Sequence, residues 1–249
     1  MTQTANRRFV GVSLKMHLDD AATRSWLTRV AATIVPPSEV EVVVLPSFTA
    51  IASARSILAG SHVSYGAQDC SWEESGAFTG EVSAAVLREL GCGHVEVGHA
   101  ERRRLFHEDD QMIARKAAAA SANSLVPIVC TGELVRSSPR DAAEFSIAQL
   151  QPVIRALATV RPAVSELVVA YEPVWAIGAP EAAPAWHINE VAAIIRRYLD
   201  RAAVNTRVIY GGSAGPGLFA QLHDLDGLFL GRSALDVDRF AATLAEVGL

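Results

Sequence analysis

The sequence predicts an α/β fold, a closed (β/α)8 barrel in which residues 1–249 form one domain. Three observations carry this expectation. Eight short apolar or β-branched runs recur along the chain, and each is followed by a stretch with helical patterning. Strands alternating with helices imply βαβ units and a parallel sheet. Eight units within 249 residues fit the usual length of such a barrel, and a chain that is 50% hydrophobic can bury a sizeable core. A doubly wound open sheet is the alternative arrangement.

The elements follow in order. Residues 9–14 form a short apolar strand with Lys15 just past its end. Asp19 or Asp20 can cap a helix that runs to about Ile34. Residues 40–45 make the second strand, stopped by Pro46, and a helix over 49–59 ends at Gly60. The third strand is 62–66. A long loop over 67–80 then breaks the rhythm and carries Gln68, Trp72, Phe78 and Thr79. Loops of that length in a compact domain usually have a task, and exposed aromatics on one often meet a partner. A helix over 83–90 leads to strand four at 94–98, which ends in His99-Ala100-Glu101-Arg102-Arg103. An Ala-rich helix covers 109–122, and strand five covers 125–130. A helix over 141–157 is interrupted or kinked near Pro152. Strand six at 166–171 is apolar on both faces and ends in Glu172, with Pro173 stopping its pairing. A helix over 188–202, strand seven at 207–210, a short helix over 216–222, strand eight at 227–231 and a final helix over 234–247 complete the chain.

Composition excludes several classes. The net charge is −5 with the histidines neutral, which gives no case for nucleic acid. The three cysteines, Cys70, Cys92 and Cys130, are widely spaced and form neither a disulfide framework nor a metal pattern. A reducing cytoplasm is the simplest compartment. Residues 1–8 are polar and lack the apolar segment of a signal peptide, and no apolar run is long enough to cross a bilayer.

In a parallel barrel every strand ends at the same face, so residues far apart in the chain gather at one mouth. There, Glu172 followed by Val174, Trp175 and Ile177 would be poorly hydrated, which raises its pKa and suits a general base. An ordinary strand-end ion pair is the competing reading. His99 beside a helix start would be held neutral and could donate to a carbonyl or enediolate oxygen; otherwise it is a helix cap. Lys15 offers charge to an anion, or is a solvated surface lysine. Glu101 either complements the helix dipole or orients Lys15, and the residues alone do not choose. Gly211-Gly212-Ser213 after strand seven and Gly231-Arg232 after strand eight sit where barrels often bind phosphate.

Six motifs in order then resemble the triosephosphate isomerase family over nearly the whole chain. They are Ser-Leu-Lys-Met at 13–16, Gly-Ala-Gln at 66–68, Gly-Ala-Phe-Thr-Gly-Glu at 76–81, Gly-His-Ala-Glu-Arg-Arg at 98–103, Ala-Tyr-Glu-Pro-Val-Trp-Ala-Ile-Gly at 170–178 and Tyr-Gly-Gly-Ser at 210–213. The resemblance implies that Glu172 moves a proton between adjacent carbons, that His99 serves the enediolate oxygens and that Lys15 stabilises negative charge. It implies that Gly178, Ser213, Gly231 and Arg232 hold a phosphate under a closing loop, with Ser13 contacting substrate and Glu101 in support. It also implies a small phosphorylated sugar as substrate and no metal or organic cofactor. A homodimer is implied through the loop from Gly76 to Glu81. The departures are Ser13 and Leu14 where the family usually has Asn-Trp, Ala100 where it has Ser, and Arg232 where it has a second Gly. Ser13 and Gly231-Arg232-Ser233 are similar to the tetrulose-phosphate isomerase branch, whose substrate is one carbon longer. The departures leave a triose-phosphate isomerase, and a non-catalytic phosphometabolite-binding paralogue, as alternatives. A Schiff-base aldolase is disfavoured, because the only other lysine, Lys116, falls on a predicted helix.

Overall fold

Parity along the strands decides what the interior holds. The computed structural model describes residues 7–161, 166–202 and 204–249; residues 1–6 of the polar N-terminal stretch lie outside them. Its strands are β1 (Arg8–Ser13), β2 (Val40–Leu45), β3 (Val63–Ala67), β4 (His94–Val97), β5 (Val126–Thr131), β6 (Leu167–Tyr171), β7 (Thr206–Tyr210) and β8 (Gly227–Leu230). Each pairs in parallel with the next, and β1 pairs with β8, so the sheet closes into the expected barrel. Successive side chains on a strand face opposite sides. One parity fills the barrel: Phe9, Val43, Leu45, Ile128, Cys130, Val168, Ala170, Ile209 and Phe229 form an inner cluster. The other parity, including Val10, Val12, Val169 and Tyr171, packs outward in the larger apolar cluster shared with the helices. Both faces are therefore covered, which is why β6 reads as an unbroken apolar run.

The helices are α1 (Asp20–Thr33), α2 (Ile51–Ile57), α3 (Ala84–Glu89), α4 (Ala100–Leu105), α5 (Asp110–Ala122), α6 (Pro139–Leu157), α7 (Ala185–Leu199) and α8 (Val237–Val247). Short acceptor side chains start them. Asp19 accepts from the Ala22 N–H, Asp109 from Met112 and Ser138 from Asp141. Each satisfies a donor that the first turn leaves free. Pro152 lies inside α6, which is a single helix rather than an interrupted one.

One predicted element is absent. The stretch 216–222 holds only a 3₁₀ turn, Phe219–Gln221. Gly217 has φ +87°, a conformation that stops a right-handed helix. The Glu246 carboxylate takes the Gly217 and Ala220 N–H groups at 2.6 and 2.7 Å. The chain after β7 is thus tied to α8 by a side chain instead of by its own helical bonds.

The loop after β3 is anchored at its start. Gln68 Nε2 donates to the carbonyls of Lys15 and Leu45 at 3.0 and 2.9 Å, joining it to the ends of β1 and β2. Trp72 is half-buried under the Arg115 guanidinium, 4.1 Å from the ring centroid, whereas Phe78 is 44% exposed. No described helix is long and apolar enough to cross a membrane.

Candidate active site

Because all pairings are parallel, the C-terminal strand ends share one rim. A cleft of about 1350 Å³ opens there. All nine residues expected at the site line it: Ser13, Lys15, His99, Glu101, Glu172, Gly178, Ser213, Gly231 and Arg232.

Glu172 faces inward because it continues the parity of Val168 and Ala170. It is 4% exposed, and its Oε2 makes no hydrogen bond among the described residues. A Cβ added to Gly211 would lie 2.4 Å from Glu172 Oε1 and 2.7 Å from Cγ. Gly211, expected to make room for phosphate, makes room for this carboxylate. Burial raises the Glu172 pKa to about 8, the charge of Glu96 adds to the rise, and Lys15 opposes it. The expected rise is present, but Trp175 does not form the expected wall. Its Nε1 donates to Glu133 Oε1 at 2.7 Å, and its ring stands edge-on to His187.

His99 caps α4, and its Nδ1 accepts the Glu101 N–H at 3.1 Å. With Nδ1 as acceptor, the proton of a neutral ring belongs on Nε2, an assignment that follows from the bonding partners. Burial, helped by the neighbouring Lys15 charge and opposed by Glu101, lowers the His99 pKa to about 4. The imidazole is therefore neutral near pH 7. Lys15 Nζ lies 3.3 Å from Nε2. In this tautomer both atoms are donors, so the approach is not a hydrogen bond between them. It is two donors aimed at one region of the cleft, suited to a single substrate oxygen. Glu172 Oε2 lies 3.6 Å from the same Nε2.

Lys15 has φ +50°, a left-handed backbone costing a non-glycine residue about 1 kcal/mol. The Gln68 bond to its carbonyl helps hold that turn. Its ammonium donates to Glu101 Oε1 at 2.7 Å. Glu101 thus does both things open to it: it sits in the first turn of α4 and it holds Lys15. Burial pushes its pKa up, but Lys15 and His99 outweigh that and keep it below the usual range.

The segment after Glu172 has a stiff root and a tethered tip. At the root, buried Glu133 gathers the Trp175 N–H and the Tyr171 hydroxyl, the latter at 3.1 Å from Oε2. Toward the tip, the Ser213 hydroxyl lies 2.8 Å from the Ala176 carbonyl and 3.1 Å from that of Ala179, and the Tyr210 hydroxyl accepts the Ala183 N–H at 3.1 Å. The Ser213 hydroxyl is therefore engaged by the loop; what it offers an anion is backbone. Arg232 keeps a negative φ, so its N–H is usable at the start of the 3₁₀ turn Arg232–Leu235. Its guanidinium Nη2 reaches across to the Gly178 carbonyl at 2.9 Å, where Gly178 has φ +73°. A Cβ on Gly231 would meet nothing within 4 Å, which leaves space beside that N–H.

The family description "Triosephosphate isomerase" matches residues 8–247. The chain belongs to the triosephosphate isomerase family. It is an isomerase of that family. It is 44% identical to the L-erythrulose-1-phosphate isomerase of Pectobacterium atrosepticum, with 95% of this chain and 94% of that protein aligned. It is 41% identical to the triosephosphate isomerase of Moorella thermoacetica, covering 95% and 97%, and 38% identical to that of Thermus thermophilus, covering 97% and 99%.

Within this family member, three residues at the site escape a linear reading. Glu96 is 2% exposed on β4, and the Ser13 hydroxyl donates to its Oε2 at 2.8 Å. Ser13, expected to face substrate, lines the cleft but spends its proton on this acid. The alternation His94-Val95-Glu96-Val97 carries the signal, since Val95 and Val97 pack outward and Glu96 must point inward. Glu133 is visible only as the residue after Gly132. The contact of Gly211 with Glu172 joins the ends of β6 and β7 and has no local sequence signal.

Proposed function

We propose that this isomerase interconverts a short phosphorylated ketose with its isomer through an enediolate. Glu172 is the base that takes a proton from the carbon next to the carbonyl and returns it to the neighbouring carbon. Neutral His99 donates through Nε2–H to the substrate oxygens, and Lys15 balances the charge that develops there. The phosphate lies against backbone N–H groups near Ser213 and Gly231-Arg232, with Gly178 above it. The observation that carries this reading is the convergence of a buried carboxylate with a free Oε2, a neutral imidazole and an ammonium, with Glu172 Oε2 and Lys15 Nζ each within 3.6 Å of His99 Nε2. A pure binding protein gains nothing from a buried base, so the non-catalytic alternative is disfavoured. Closing the loop excludes water and protects the intermediate.

The substrate in this proposal is a tetrulose phosphate, L-erythrulose 1-phosphate giving D-erythrulose 4-phosphate. Support comes from the named activity of the 44% identical relative and from Ser13 and Arg232. The triose reading, dihydroxyacetone phosphate and D-glyceraldehyde 3-phosphate, is supported by relatives of nearly equal identity. Side-by-side turnover on dihydroxyacetone phosphate and L-erythrulose 1-phosphate tests the choice. A higher kcat/KM on the tetrulose is expected, and a strong preference for the triose overturns it. The exposed residues 76–81, with Phe78 at their centre, are proposed to meet a second copy in a cytoplasmic homodimer.

A further inference from the structure

The floor of the site holds a second acid. Glu96 on β4, Cys130 on β5 and Glu172 just past β6 come from three adjacent strands, all at inward parity. Glu96 and Glu172 are both buried. The Cys130 thiol stands 3.9 Å from Glu96 Oε1 and also beside the Glu172 carboxylate. The other groups facing the pair are the Ser13 hydroxyl and Lys15 from β1 and its end, Asp69 from the loop after β3, and His99 and Glu101 at the start of α4; Arg103 faces Cys130. Of these, only Lys15 brings a positive charge to either acid, and it is already bonded to Glu101.

We propose that Glu96 and Glu172 share one proton beside the Cys130 thiol, making Glu96 the positioning residue that decides when Glu172 is a base. Two ionised carboxylates with one committed ammonium cannot both be stable in a buried site, so they titrate as a pair. Burial raises Glu96 to about 7, with the Ser13 bond opposing the rise, and the Glu96 charge adds to the rise at Glu172. At rest the shared proton sits on Glu172, and Glu96 is the carboxylate that accepts from Ser13; the working state moves that proton to Glu96 and leaves the charge on Glu172. Protonated Glu96 then donates to Ser13 Oγ, and Ser13 turns its own proton toward the cleft. Ionised Glu96 reverses that bond and withdraws the Ser13 proton from substrate. The proton stays on one oxygen or the other, and nothing is oxidised or reduced.

This deepens the proposed isomerase reading, yet the first test needs no substrate. Glutamate 13C-carboxyl NMR of the whole protein, with Glu172 identified through Glu172→Gln, follows the titration directly. The wild type should show two linked steps. Glu96→Gln should leave Glu172 with one step, lower by about one pH unit than the upper wild-type step. Glu172→Gln should lower the Glu96 step in the same way, which reads the coupling even if the Glu96 variant folds poorly. Glu96→Asp, which keeps an acid, should keep two steps. Titrations of Glu172 that superimpose in wild type and Glu96→Gln overturn the proposal. In kinetics, the acid limb of kcat/KM should move to lower pH in Glu96→Gln. A wild type that turns over no sugar phosphate would sink the isomerase reading, while the NMR titrations would still decide whether the two acids are coupled.

Discussion

Glycine 211 offers a measurement of how closely the base must be held. Gly211→Ala adds one methyl group 2.4 Å from Glu172 Oε1, 2.7 Å from Cγ and 3.0 Å from Cδ. Ordinary contact begins at 3.4 Å, so the carboxylate must retreat by about 1 Å. The backbone of Gly211 is outside the left-handed region, so alanine brings no conformational strain of its own. Displacing a reacting group by that distance costs about 10²-fold in rate. The expected outcome is a fall of that size in kcat, with binding of a phosphoglycolate-type inhibitor weakened far less. Gly93→Ala is the control, since its added Cβ meets nothing within 4 Å. Unfolding midpoints should confirm that both variants fold. A Gly211→Ala enzyme with turnover close to wild type would refute the idea that this glycine positions the base.

Other perturbations have definite signs. Arg232→Ala removes the bond to the Gly178 carbonyl and a positive charge at the phosphate end; KM should rise about 10-fold, as for one exposed charge-assisted bond, with kcat changed less. Arg232→Lys restores the charge without the reach and should recover only part of that, and equal KM values in all three enzymes would discount the residue. The pKa of Glu172 is raised from 4.5 to about 8, so the folded state holds a proton that the unfolded state loses between those values. Stability must fall as pH rises through that window. Glu172→Gln, which cannot ionise, should therefore unfold at a higher temperature than wild type at pH 8 and show little advantage near pH 4; the opposite order would mean that the carboxylate is stabilised by partners. The same titration predicts that kcat/KM declines as pH falls below about 8, because the base becomes protonated.

Much of this molecule is legible along the chain, and what is missing has physical causes. Apolar runs and their breaks locate all eight strands to within a residue or two, because a barrel strand is buried on both sides and its end is marked by a polar or turn residue. Glu172, His99 and Lys15 stand out for the same reason, being the first polar groups past buried strands. Glu96 is easily passed over because it lies within β4 rather than past its end, although its alternation with Val95 and Val97 marks it as inward-facing. The stretch 216–222 misleads because its helix formers lie next to Gly217, and its backbone donors find the distant Glu246. Ser213 and Lys15 both occupy left-handed backbone that sequence reasoning reserves for glycine. Trp175 looks like a cover for Glu172, yet its indole N–H needs an acceptor once it is half-buried, and Glu133 supplies one.

Proton transfer at carbon by Glu172 is tested most directly by running the reaction in D₂O and reading the product by proton NMR. Exchange of the glutamic acid proton with solvent predicts that a fraction of product molecules carries deuterium at the newly formed C–H. It also predicts that turnover in Glu172→Asp falls by orders of magnitude. Full conversion with no deuterium in the product together with undiminished turnover in that variant would contradict the account.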